Sequence, residues 1–238
     1  MAVIGLFSLA SLRTAGLRDY YFADACARDD YRGIAAYIAA VSRPDDAVIL
    51  DAPGQADVFG YYHRGDAPVY PLPAQRPPDR AATRAALESI AARHRRVFAL
   101  FWATDESDPQ RLVETWLDQN AYKAMDSWHG NVRLAAYAVP QRAAAAQVAT
   151  LDARFGPAIG LRGYALDQAQ AAPGDILQVT LLWQASQPLP ERYKVTIQLL
   201  DARQQVLAQR DAEPVGDARP TTTWAAGETI ADNYGLWI

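Results

Sequence analysis

Ala47-Val48-Ile49-Leu50-Asp51-Ala52-Pro53-Gly54-Gln55 and Val97-Phe98-Ala99-Leu100-Phe101-Trp102-Ala103 decide how this chain reads. Each opens with an unbroken apolar run, the pattern of a strand covered on both faces. Each run then stops at turn-forming or polar residues, Asp51 to Gln55 in the first case and Thr104 to Pro109 in the second. Helical patterns surround them. Asp29 and Asp30 stand where a helix cap is needed, and Tyr31, Ile34, Ile38 and Val41 follow at helical spacing until Pro44. Val58, Phe59 and Tyr62 suggest a short helix, and Pro68 to Leu72 a further extended piece. Arg76-Pro77-Pro78-Asp79 then leads into an alanine-rich helix with Leu87 and Ile90 inward. After the second run, Pro109 suits a first helical turn, and Leu112, Val113, Trp116 and Leu117 make an apolar face. Tyr122 to Trp128 and Val132 to Val139 read as a hairpin around His129-Gly130-Asn131. This alternation predicts an α/β layered domain over residues 28–140, with a mostly parallel sheet and an antiparallel edge hairpin.

Residues 141–154 are alanine-rich and nearly featureless, and read as a linker. Beyond them the period changes to two. Leu177, Val179, Leu181 and Trp183 alternate with Gln178, Thr180, Leu182 and Gln184, and a second alternation starts at Tyr193. With Ile159 to Leu166, Val206 to Arg210 and Thr229 to Ile238, about five strands are expected over 155–238. An immunoglobulin-like sandwich usually has about seven. The expectation is therefore an incomplete all-β, immunoglobulin-like domain, truncated at its carboxyl end.

The balance of residues sets bounds on function. Half of the 238 residues are hydrophobic and 21% are charged, as in a globular protein rather than a disordered one. A net charge of −4 disfavours nucleic acid as a partner. One cysteine, Cys26, excludes an intrachain disulfide and a cysteine-rich zinc site. His63, His94 and His129 are far apart and lack a second ligand at metal spacing, so neither a metal nor a cofactor is expected.

Residues Met1 to Leu12 are uncharged and largely apolar, with Arg13, Arg18, Tyr20 and Tyr21 just beyond. A bilayer span takes roughly 20 such residues. Residues 1–22 are read as the end of a transmembrane or interfacial helix, anchored by the aromatic and basic side chains that follow. A signal-peptide core or a buried helix are the competing readings.

Candidate ligand-binding residues gather after the two apolar runs. In open α/β sheets ligands bind at the carboxyl ends of strands, which singles out Asp51, Asp105 and Glu106. Gln55, Tyr62 and Arg64 are placed to hydrogen-bond sugar hydroxyls or a phosphate. Trp224, in a Pro/Thr-rich loop, is a candidate stacking platform for a sugar. The competing reading is structural, with Asp51 and Asp108 capping helices and the other acids solvated. No catalytic residue stands out.

Several segments together resemble a known group: Asp30-Tyr31-Arg32-Gly33, Asp51-Ala52-Pro53-Gly54-Gln55, Tyr61-Tyr62-His63-Arg64-Gly65-Asp66, Tyr70-Pro71-Leu72-Pro73, Phe101-Trp102-Ala103-Thr104-Asp105-Glu106-Ser107 and Gly130-Asn131-Val132-Arg133-Leu134. They look like the carboxyl-terminal extracytoplasmic region of bacterial GT-C class, family 39, mannosyltransferase-like membrane glycosyltransferases. The resemblance covers about residues 6–140. It implies an enzyme that uses a polyprenyl-phosphate sugar donor, whose catalytic loop has no counterpart in this chain. The chain would then be a non-catalytic accessory module on the extracytoplasmic face of the cell membrane, held there by its amino-terminal segment, with a glycan or lipid-linked sugar as its ligand. A stand-alone carbohydrate-binding or cell-surface protein is the alternative.

Overall fold

The Asp30 carboxylate accepts the Gly33 amide at 2.8 Å and so starts helix α1 (Tyr31–Val41), whose inward side holds Tyr31, Ile34 and Ile38. The structure, a computed structural model, describes residues 29–140 and 148–238. The two decisive apolar runs are strands β1 (Asp46–Asp51) and β3 (Arg96–Phe101), buried along their whole length. Helix α2 (Ala56–Tyr62) and strand β2 (Val69–Pro71) lie between them, with helix α3 (Arg80–Ala91). After β3 come a single-turn helix α4 (Thr104–Ser107), helix α5 (Leu112–Asn120) and the hairpin β4 (Tyr122–His129) and β5 (Val132–Ala138).

The first sheet has the order β2-β1-β3-β5-β4. β2, β1 and β3 run parallel, and the hairpin adds the antiparallel edge expected from the sequence. Alternate residues of β1 and β3 feed two cores. Ala47, Ile49, Val97, Ala99 and Phe101 meet Leu87 and Ile90 of α3 and Val113 and Leu117 of α5. Val48, Leu50, Phe98 and Leu100 meet α1 and Phe59. Full burial of each large aliphatic or aromatic side chain contributes about 1.5–3 kcal/mol, so these strands must be covered on both faces.

The later region is mostly strand. A four-stranded antiparallel sheet has the order β11-β8-β7-β6, built from β6 (Ala149–Phe155), β7 (Ile159–Leu166), β8 (Ile176–Ala185) and β11 (Thr229–Trp237). A two-stranded ribbon, β9 (Val195–Leu200) and β10 (Val206–Ala212), shares a core with it. The stretch read as a linker to residue 154 already carries β6 from Ala149. Ala149, Leu151, Ala153 and Phe155 do alternate with Thr150, Asp152 and Arg154, but the strand is almost wholly exposed, its pairing with β7 shifts register between Thr150 and Ala153, and the short pattern merges with the alanine-rich run before it. Among the described residues, β7 to β11 are the five strands expected over 155–238, and β6 is a sixth, in the stretch read as linker.

The two regions touch. β11 packs on β4, where Gly235 lies so close that a Cβ there would come within 2.8 Å of the Ala124 Cβ and 2.9 Å of the Tyr122 carbonyl oxygen. Tyr122 Oη and Thr180 Oγ1 are 2.9 Å apart, and Arg43 bonds Asp175 at 2.8 Å. No helix among the described residues is long and apolar enough to cross a membrane. The membrane-helix reading of residues 1–22 lies outside the described residues.

Candidate functional site

The carboxyl edge of the parallel strands is where the chemistry gathers. Register places Asp51, Phe101 and Arg133 side by side across β1, β3 and β5. The connection after β3 is held down over this edge by two non-glycine residues in the left-handed region, Ala103 (φ 45°) and Arg111 (φ 50°). Such conformations cost of order 1–3 kcal/mol and persist only where the surroundings enforce them. Here Ser107 Oγ donates to the Asp51 carbonyl oxygen at 2.9 Å, pinning α4 to the end of β1.

Asp51 is 1% exposed, and neither of its carboxyl oxygens has a hydrogen-bond partner among the described residues. Burial, helped by repulsion from Asp108 and Glu114, pushes its carboxyl up to about 9, against the pull of Arg133 and Arg111. Asp51 is therefore protonated at neutral pH. Asp108 is also fully buried; its Oδ2 accepts the Val113 amide at 2.9 Å and its Oδ1 is unpartnered. Asp108 thus caps α5, whereas Asp51 caps nothing.

Beside them lies a buried ion network that the sequence reading did not pick out. Glu114 is bonded to Arg133, lies 2.6 Å from Arg111 and 3.6 Å from Lys123. Burial opposes the charge on Glu114, but Arg133, Lys123 and Arg111 outweigh it and hold the carboxyl below its usual range. Lys123 also meets Asp118 at 2.8 Å, and the Tyr137 hydroxyl donates to Asp118 at 2.9 Å. Burial raises Asp118 to about 6 despite Lys123. A signal existed: Glu114 and Asp118 are four residues apart, on the same helical side as Val113 and Leu117. Charges on an apolar helix face are buried and need partners.

The predicted ligand residues fall in different settings. Asp105 and Glu106 are exposed on α4, while the groups that act on Asp51 are Asp108, Glu114, Arg133 and Arg111. Gln55 is half-buried in the turn after β1. Tyr62 stands exposed at the end of α2, edge-on to Tyr61. Arg64 bends back to the Gly60 and His63 carbonyls at 3.3 and 3.0 Å, closing the end of its own helix. Trp224 is not the exposed platform expected. It is 4% exposed, in the core of the later region, with Nε1 donating to the Arg219 carbonyl at 3.0 Å. A turn at Thr221–Thr223 folds the loop inward, and Thr221 Oγ1 bonds the Glu191 carbonyl and the Tyr193 amide.

No family model, curated protein or solved structure matches this chain.

Proposed function

We propose that the chain is a non-catalytic, water-facing accessory module of a membrane glycosyltransferase of the GT-C, family 39 type, on the extracytoplasmic face of the cell membrane. In this reading the later region is an immunoglobulin-like sandwich, and residues 1–22 join the module to the bilayer. The polyprenyl-phosphate-linked sugar is handled by sequence outside this chain, and the module braces it or shapes access to an acceptor.

The observation that carries the reading is the pairing around Glu114. Three cations, Arg111, Arg133 and Lys123, close on this one buried carboxylate. Charges matched to one another in this way fasten α5 to the hairpin, which suits a brace more than a reacting centre. The alternative of a stand-alone carbohydrate binder draws no support from Trp224, whose ring is buried and whose N–H already has an acceptor.

Flotation tests this. The full chain, made by cell-free synthesis with phosphatidylethanolamine–phosphatidylglycerol vesicles, is expected to float with them, and a chain lacking 1–22 to stay behind. The floated chain is expected to transfer no sugar from a polyprenyl-phosphate-linked hexose. Transfer by the isolated chain overturns the accessory role, and a full chain left at the bottom of the gradient overturns the membrane attachment.

A further inference from the structure

The ribbon β9–β10 is two strands wide, and the sheet that shares its core has four. Its inward side chains, Val195, Ile197 and Leu199, stay half-buried. Beyond β9 runs an apolar groove of about 750 Å³. Leu161, Leu181 and Trp183 lie along it, and the β6–β7 turn at Phe155 forms one rim. The other rim is the consecutive run Lys194-Val195-Thr196-Ile197. Successive residues of a strand point to opposite faces, so a consecutive run lines a groove with the strand's edge. Among the described residues β9 pairs with β10 alone, so that edge turns unpaired backbone N–H and C=O groups to the groove.

We propose that this groove is a strand-acceptor site. An extended segment of a partner polypeptide pairs with the β9 edge and lays alternate apolar side chains over Leu161, Leu181 and Trp183. The open backbone edge selects this occupant, because only another backbone answers a row of alternating donors and acceptors; an acyl chain or a flat ring does not. The groove also continues the hydrophobic core of the later region. Leu181 and Trp183 belong to the core that the ribbon covers in part, so an added strand extends the same cover. A second copy of the chain is the poorer occupant. Antiparallel pairing of two β9 edges needs a twofold axis perpendicular to the ribbon, which puts the second four-stranded sheet on the same side of the ribbons as the first, where the two compete for the space under the edge. A lone strand brings no facing sheet. Lys194 is exposed at the mouth, so an acidic residue on the outer face of the incoming strand suits the site.

The probe is a fluorescent octapeptide that alternates valine or isoleucine with threonine and carries one aspartate. Saturable binding to the full chain is expected by fluorescence anisotropy, weakened by about tenfold or more when alternate peptide nitrogens are methylated. Hydrogen exchange is expected to slow at β9 amides when the peptide binds. Lys194→Glu, an exposed change that leaves the fold intact, is expected to weaken the aspartate peptide and to favour its lysine counterpart. Three results overturn the proposal: no binding, equal binding of the methylated peptide, or β9 edge amides already protected in the chain alone, as they would be if its own residues or a second copy filled the edge. Oleate binding without peptide binding also overturns it and identifies an acyl-chain pocket.

Discussion

The guanidinium of Arg96 lies over the indole ring of Trp237, 4.8 Å from its centroid. Arg96 begins β3 and Trp237 ends β11, so this stacking joins the α/β layer to the last strand of the later region. Arg96 also contacts Asp46 through Nη2 at 2.5 Å and Nε at 3.0 Å, and donates to the Val41 carbonyl at 2.6 Å. One planar side chain thus ties the end of α1, the start of β1 and the final strand together. Its planar fork spreads donors over separate nitrogens while its face lies on the ring, which a lysine ammonium, with all its donors on one atom, does not do.

Arg96→Ala is expected to lower stability by about 3 kcal/mol or more, because it leaves the Asp46 carboxylate buried without its cation. Arg96→Lys keeps the charge but loses the stacking and the second bond, and should recover only part of this. Urea unfolding followed by tryptophan fluorescence and by far-ultraviolet circular dichroism checks the coupling. Both probes should report one shared midpoint in the parent chain and separate midpoints in Arg96→Ala.

A second contact at the same junction is steric. Gly235→Ala places a methyl group within 2.9 Å of the Tyr122 carbonyl oxygen, which is backbone and cannot turn aside. The expected cost is about 1–3 kcal/mol, as for overpacking elsewhere. Faster exchange of β4 and β11 amides, with β1 and β3 unaffected, would locate the damage at the junction. A change spread evenly over the chain would not fit this account.

What could be read ahead of the structure follows from distance along the chain. The apolar runs at 47–50 and 97–103 show local patterns, and both hold buried parallel strands, although β3 stops at Phe101 and Ala103 turns into the left-handed region. The hairpin is equally local: β4 and β5 fall within a residue or so of the sequence reading. Asp51 and Asp108 could both be read as helix caps; the folded chain has Asp108 accepting a first-turn amide of α5 and leaves Asp51 buried without a side-chain partner among the described residues. Trp224 misled because burial of a loop residue depends on where the loop lands. The Thr221 bonds to Glu191 and Tyr193, about 30 residues back, leave no local pattern. The Glu114–Arg133 pair spans 19 residues and three elements, so helical spacing marks Glu114 as inward without showing its partner.

Glu114→Gln is expected to destabilise by about 3 kcal/mol, since it leaves Lys123 and Arg133 buried with less compensation. Asp105→Asn and Glu106→Gln, on the exposed turn α4, should stay within about 0.5 kcal/mol of the parent. Thermal midpoints of the three variants at neutral pH make the comparison. Equal effects in all three would mean that the ion network carries no special share of stability.

Asp51 supplies a pH dependence of definite sign. Its carboxyl has a value of 3.8 when free and about 9 in the fold. Between these limits the unfolded chain holds it ionised and the folded chain holds it protonated, so unfolding releases a proton and rising pH favours unfolding. The contribution to stability is complete below about pH 4 and is lost as pH rises through the folded value. Asp51→Asn removes the titration while keeping the shape. The variant should therefore gain on the parent steadily from pH 4 to pH 9, each unit adding about 1.4 kcal/mol. Asp118 and Asp232, both raised to about 6 by burial, give the parent a further decline that ends near that pH, and the variant retains it. Thermal midpoints of parent and variant across this range test the sign directly. Curves that stay parallel from pH 5 to pH 9 would mean that Asp51 is ionised in the fold, and that its oxygens have found water or a cation.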